Sequence, residues 1–145
     1  MALNNVQLAQ TPNNNDQPFF NYGGTDLPVG IAIALDSTNI VGASGSAQGI
    51  GVMLAAASGD PVIGVTMETI PAGGYGRVRA LGPICAMTAD GAITAGTYVD
   101  ASAVASKKGF AKAHAAGKAT IGIALNPASA DGDLVLVMLV GGFNA

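Results

Sequence analysis

Residues 42–55 read "GASGSAQGIGVMLA", and the spacing of Gly45, Gly49 and Gly51 is one with which a loop can wrap a dinucleotide pyrophosphate. That chemistry needs a strand before the loop and a helix after it whose N-terminus faces the phosphate. It also needs an acid roughly 20 residues further on for the ribose. "VGIAIAL" (29–35) can supply the strand, but Gly59 and Pro61 interrupt the following segment before a useful helix can form. The catalytic tyrosine of such reductases is followed four residues later by lysine. Here Tyr22, Tyr75 and Tyr98 have Asp26, Arg79 and Ser102 at that offset. The stretch is therefore read as a Gly/Ser-rich turn that delivers "GIGVMLA" as a strand.

Other chemistries fail on their residue requirements. No lysine precedes Lys107, so no Gly-Lys-Ser/Thr phosphate loop exists. One histidine, His114, and one cysteine, Cys85, cannot by themselves make a zinc site. His114 lies in "AKAHAAGK", a polar context that predicts a surface side chain, and no serine has the G-x-S-x-G surroundings of an activated nucleophile. Glu68 is the one glutamate among nine acidic residues. Most of the aspartates sit in turn phrases such as "SGDP" and "TADG", where a carboxylate usually accepts from its own turn. "DGD" at Asp131–Asp133 has the residue types for an interfacial calcium ion, but a turn is the expected use. The expectation is a chain with no catalytic, cofactor-binding or metal-binding residues.

The elements around these residues explain the composition. A chain of 145 residues suits one domain. Half of it is apolar, yet aromatics are only 5% and Trp is absent, so Ala supplies much of that half, and 21 Gly come in addition. Charged residues are 10%, against roughly 25% in an average soluble domain, and mean hydropathy is +0.45. A surface so poor in charge is expected to be covered by copies of itself or by a partner. Net charge is −3 and the basic residues are dispersed, which argues against nucleic acid. The longest aliphatic run, "LVLVMLV" (134–140), has strand length and falls far short of the ~20 residues of a spanning helix, so no membrane partner is expected. The N-terminus lacks the basic and apolar regions of a signal peptide, and a single cysteine fits a reducing cytoplasm.

Short aliphatic runs at 29–35, 49–55, 62–68, 76–82, 97–102, 120–125 and 134–140 are separated by Gly, Pro, Asp and Asn, the rhythm of an all-β domain. The fold class expected is mainly β, a small β-barrel or β-sandwich with at most one short helix. "ASAVASKKGFAKAHAAGK" (101–118) could form that helix, but Gly109 and Gly117 make a hairpin equally plausible. Residues 1–25, rich in Asn, read as an extended N-terminal arm, leaving 26–145 as the β-rich domain. The arm ends in "PFFNYGG", and Phe19, Phe20 and Tyr22 are the residues expected to contact a partner. "VIGVTMETIPAGGYGRVRALG" (62–82) and "TIGIALNPASADGDLVLVMLVG" (120–141) echo each other, with Gly64 and Gly122 at matching positions; duplication or two ordinary hairpins would both give this.

These phrases carry a family likeness. "DPVIGVTMETIPAGGYGRVRALGPICAMTADGAITAGTYVDAS" and the closing "KATIGIALNPASADGDLVLVMLVG" resemble the capsid cement, or head decoration, proteins of tailed bacteriophages over about three-quarters of the chain. The resemblance implies a β-tulip-like structural virion protein and no enzyme. It implies a location on the outer surface of the capsid, after synthesis in the host cytoplasm. The partners it implies are the major capsid protein, bridged to its neighbours, and further copies of the chain in a homotrimer. The alternative is a host- or carbohydrate-binding β module of a phage fibre, for which Tyr75 in "GGYGR" is the candidate sugar-stacking side chain.

Overall fold

The computed structural model describes residues 16–39, 50–55, 60–80 and 84–140. Its strands are β1 (Asp16–Phe20), β2 (Ala32–Leu35), β3 (Val52–Leu54), β4 (Val62–Thr66), β5 (Tyr75–Ala80), β6 (Ile84–Thr88), β7 (Tyr98–Ala101), β8 (Ala111–Ala113), β9 (Thr120–Ala124) and β10 (Leu134–Leu139). They form two antiparallel sheets in the orders β1-β5-β4-β2-β3 and β6-β10-β9-β7-β8. Neither sheet closes on itself, so the fold is the β-sandwich of the two expected forms and not the barrel. No helix occurs among the described residues; the Ala101–Lys118 segment resolves as a hairpin in which β8 pairs with β7 (Val99↔Ala113, Ala101↔Ala111). Residues 40–49, with most of the glycine loop, lie outside the described residues, and Val52–Leu54 after it is strand.

The two sheet orders are one order written twice. Adding five to each strand number of the first sheet gives the second. The match extends to register. Gly64 faces Ala80 and Gly122 faces Leu139; Ile33 faces Gly64 and Val99 faces Gly122. Both β2–β4 and β7–β9 then shift register one residue on, after Ile33 and after Val99. Leu27 and Ile70 exchange backbone hydrogen bonds (2.9 Å each), as do Ile93 and Ala128 (2.9 and 3.0 Å). Even the side-chain bonds repeat: a Glu68 carboxylate oxygen accepts from the Arg77 amide (2.8 Å), and the Asn126 amide oxygen accepts from the Leu136 amide (2.6 Å). The echo between 62–82 and 120–141 therefore belongs to a duplication of the whole five-stranded unit.

Gly64 and Gly122 show why both copies need glycine there. A Cβ at Gly64 would collide with the Arg79 carbonyl oxygen and lie 2.8 Å from Val78 Cγ1. One at Gly122 would collide with the Met138 carbonyl oxygen and lie 2.5 Å from Val137 Cγ1. The neighbouring strand crosses where a side chain would be, and only glycine permits that approach.

Burial separates two clusters. Leu27, Ile31, Ile33, Val52, Ile70 and Val78 form one within the first unit, with Phe110 of the second packed against it. Ala32, Ala34 and Val65 belong to the other, with Cys85, Met87, Val99, Ile121, Val135 and Val137 of the second unit. Alternation along the strands puts Ala32, Ala34 and Val65 on one face of the first sheet and Ile33 and Val78 on the opposite face. The small-residue composition thus has a place: alanines let one sheet lie close on the other.

Candidate interaction surface

The aromatic residues singled out from sequence lie at the start of the described chain. Phe19 and Phe20 end β1, which pairs with β5 so that Phe20 faces Tyr75. Phe20 is 5% exposed, and its ring lies 4.5 Å from that of Tyr22 and 4.8 Å from that of Tyr75, centroid to centroid. Tyr75 itself is 56% exposed. Phe19 and Tyr22 are half-buried, and Phe19 packs on the first unit's cluster. Phe20 and Tyr22 are therefore brought together with Tyr75, while Phe19 lies on the opposite face of β1, against the first unit's cluster. Phe20 is the buried support of this group, and Tyr22 and Tyr75 offer surface. Stacked and edge-to-face rings of this kind hold one another in place at separations of about 4.5–7 Å.

What fixes β1 is an ion pair that sequence inspection missed. Arg79 Nε donates to Asp16 Oδ1 (2.8 Å) and Arg79 Nη2 to Asp16 Oδ2 (3.2 Å), with the two side chains 1% and 2% exposed. Arg79 Nη1 also donates to the Ile84 carbonyl oxygen (3.0 Å). The two-pronged contact satisfies the carboxylate while it is out of water. An Asp in an Asn-rich stretch and an Arg in "GRVRALG" carry no signal that they meet; only the β1–β5 pairing brings them together.

The remaining candidates are used in structural bonds. His114 Nδ1 lies 2.7 Å from Asp100 Oδ1, whose second oxygen accepts from the Ala115 amide (2.9 Å), so the histidine expected at the surface is largely covered. Cys85 is buried, and burial pushes its thiol up to about 12. Asp133 Oδ2 accepts from the Ser129 hydroxyl and the Ser129 and Ala130 amides, which lower its carboxyl below the ordinary range; Asp131 pairs with Lys107 (2.8 Å). Asp90 accepts from Ser102 Oγ (2.6 Å) and Lys107 Nζ (3.1 Å). The Ser102 hydroxyl first, and then Lys107, hold its carboxyl low against the opposing effect of burial. Among the described residues no three His, Cys, Asp or Glu side chains converge as metal ligands. No helix of the described residues is long and apolar enough to cross a membrane.

Residues 37–139 match the family model described as phage cement protein. The crystal structure of the head fiber gp8.5 N base in bacteriophage phi29 is similar in fold, with a TM-score of 0.63 and 15% identity over 90% of this chain and 98% of that one. No curated protein matches the chain significantly.

Proposed function

Because the chain belongs to the phage cement protein family, a family of virion structural proteins and not of enzymes, we propose that it binds the outer surface of a bacteriophage head and stabilises it by bridging major capsid proteins. The family match over residues 37–139 carries this reading. The aromatic cluster supports it: a rigid, ring-on-ring patch held on an edge strand by a buried ion pair is the kind of anchor that concentrates binding energy. Tyr22 and Tyr75 contact the capsid with Phe20 beneath them, and Phe19 adds a contact from the other face of β1. Copies act as a homotrimer, so that modest energy per contact is multiplied across a shell. Residues 1–25 supply the arm of this contact, 16–20 of them as β1.

The test is addition of the purified protein to expanded heads that lack it. Stoichiometric co-sedimentation and a raised disruption temperature are expected. Tyr22→Ala with Tyr75→Ala should weaken attachment at least tenfold, on the basis of about 1–2 kcal/mol per anchoring side chain. Absence of binding to any head sinks the reading. The second reading, a glycan-binding fibre module, has the 56% exposed Tyr75 in its favour; specific signals on a glycan array, lost in Tyr75→Ala, would replace the first.

A further inference from the structure

The second unit reaches into the first through the turn between β7 and β8, residues 102–110. The Gly109 carbonyl oxygen accepts from the Ala32 amide of the first unit (2.7 Å), and Phe110 packs on the first unit's apolar cluster. A Cβ at Gly109 would lie 2.5 Å from the Ala32 oxygen. The two backbones touch at this point, so the contact depends on how the turn is aimed.

One carboxylate ties the two limbs of that turn together. Ser102, fully buried at the start of the turn, donates its hydroxyl to Asp90 Oδ2 (2.6 Å), and Lys107 Nζ, on the returning limb, donates to Asp90 Oδ1 (3.1 Å). Within the turn the Ser102 amide donates to the Phe110 oxygen (2.8 Å) and the Gly109 amide to the Ser102 oxygen (3.0 Å). Any movement of Ser102 is therefore passed to the two residues that touch the first unit. The Asp90 side chain is 9% exposed and belongs to the turn that follows β6.

The other charges around this carboxylate cannot replace it. Lys112 of β8 stands 3.7 Å from Asp90 Oδ2. Asp131, in the turn between β9 and β10, binds Lys107 (2.8 Å) but not the Ser102 limb. Asp133 of that same turn is bonded to Ser129 and Ala130. The fold itself makes no demand for an acid here, since the matching position in the first unit holds Tyr22.

We propose that Asp90 is the latch of an acid-opened joint between the two units: its carboxylate aims the 102–110 turn at the first unit, and protonation releases that turn while both sheets stay folded. Protonation removes the charge that holds Lys107 and turns one acceptor oxygen into a donor, leaving Lys107 and Lys112 beside an uncharged group. The Ser102 hydroxyl first, and Lys107 after it, hold the folded carboxyl below its ordinary value. The latch is therefore fully closed above the unfolded value near pH 4, and it opens as pH falls through the lower folded value.

Amide hydrogen exchange on the free protein, corrected for the intrinsic rate at each pH, reads the joint residue by residue. The Ala32 amide reports the joint through its bond to Gly109. The Met67 amide, which donates to the Arg77 carbonyl oxygen (2.9 Å), reports the first unit itself. Between about pH 5 and about pH 2.5, protection of Ala32 is expected to fall roughly fivefold or more, as weakened hydrogen bonds to a charged group imply, while Met67 stays protected. Asp90→Asn should show the low protection of Ala32 at both pH values. If that variant does not fold, the titration of the parent decides alone. Unchanged protection of Ala32, equal loss at Ala32 and Met67, or a folded Asp90→Asn that keeps the pH step would each overturn the proposal. No capsid enters the measurement, so failure here is separable from failure of the attachment test.

Discussion

The two five-stranded units share strand order, register and bulge positions, yet they fill matching sites with opposite kinds of residue. The first places Ala32, Ala34 and Val65 on the face that meets its sister, and Ile33, Val52 and Ile70 within. The second places Tyr98, Asp100 and Ile123 on the equivalent face, and Val99, Ala111 and Ala128 within. Small residues are required where another sheet lies close; larger or polar ones are free to occupy the face that no sister covers. One backbone plan therefore gives two different surfaces, and the difference reports which side of each unit is committed inside the chain.

The sharpest contrast is at the edge strands. Asp16 and Arg79 form a buried ion pair in the first unit, and the positions matching them in the second hold Ile84 and Met138. Arg79→Met should destabilise the protein by about 3–5 kcal/mol, because it leaves a buried carboxylate without its partner. The double variant Arg79→Met with Asp16→Ile copies the second unit's solution and should recover most of that loss in urea unfolding. A double variant no more stable than the single one would show that the two edges are not interchangeable, and that the ion pair is required by something other than its own burial.

Where the units agree, the same substitution should act alike in both. Gly64→Ala and Gly122→Ala each drive a Cβ into the carbonyl oxygen of the adjoining strand and a valine methyl behind it. Each is expected to lose about 2–3 kcal/mol, the upper range for overpacking a well-filled site. Thermal melts of the two variants should fall together. A drop in only one would mean that one unit can open its β4–β5 or β9–β10 pair and the other cannot.

Sequence reading found the shared features more readily than the divergent ones. Aliphatic runs located β2, β3, β4, β5, β7, β9 and β10, because each is flanked by turn residues and buries at least one face. β1, β6 and β8 escaped. "DQPFF" has no alternation, "ICAMT" follows a proline, and "AKA" is three residues inside a segment with helical composition. Gly64 and Gly122 marked the echo, since a backbone constraint admits one residue type, but the sequence leaves duplication and two ordinary hairpins both open, and the sheet orders decide between them. The faces carried no such mark, since Ala32 and Tyr98 share a position but not an environment. Of Phe19, Phe20 and Tyr22, the aromatics singled out from sequence, Phe20 and Tyr22 share a ring cluster; Tyr75 joins it only through the β1–β5 register, and alternation turns Phe19 to the other face.

A smaller contrast lies just past the edge strands, where Tyr22 joins the aromatic patch of the first unit and Asp90 occupies the matching position in the second. Asp90 binds Ser102 and Lys107, with Lys112 at 3.7 Å. Its folded carboxyl is held below its ordinary value, so folding favours the ionised form. The stabilisation is complete above the unfolded value near pH 4 and is lost as pH falls through the lower folded value. Asp90→Asn should therefore be less stable by about 1 kcal/mol at pH 7, through weaker hydrogen bonds to Ser102 and Lys107. The gap to the parent should close as the pH is lowered from 4 toward 2. Urea midpoints measured across that range check this, and a gap that stayed constant would assign the loss to packing in place of charge. In the first unit the equivalent change, Tyr22→Phe, keeps the ring and removes no carboxylate, so the acid profile of stability should stay unaltered.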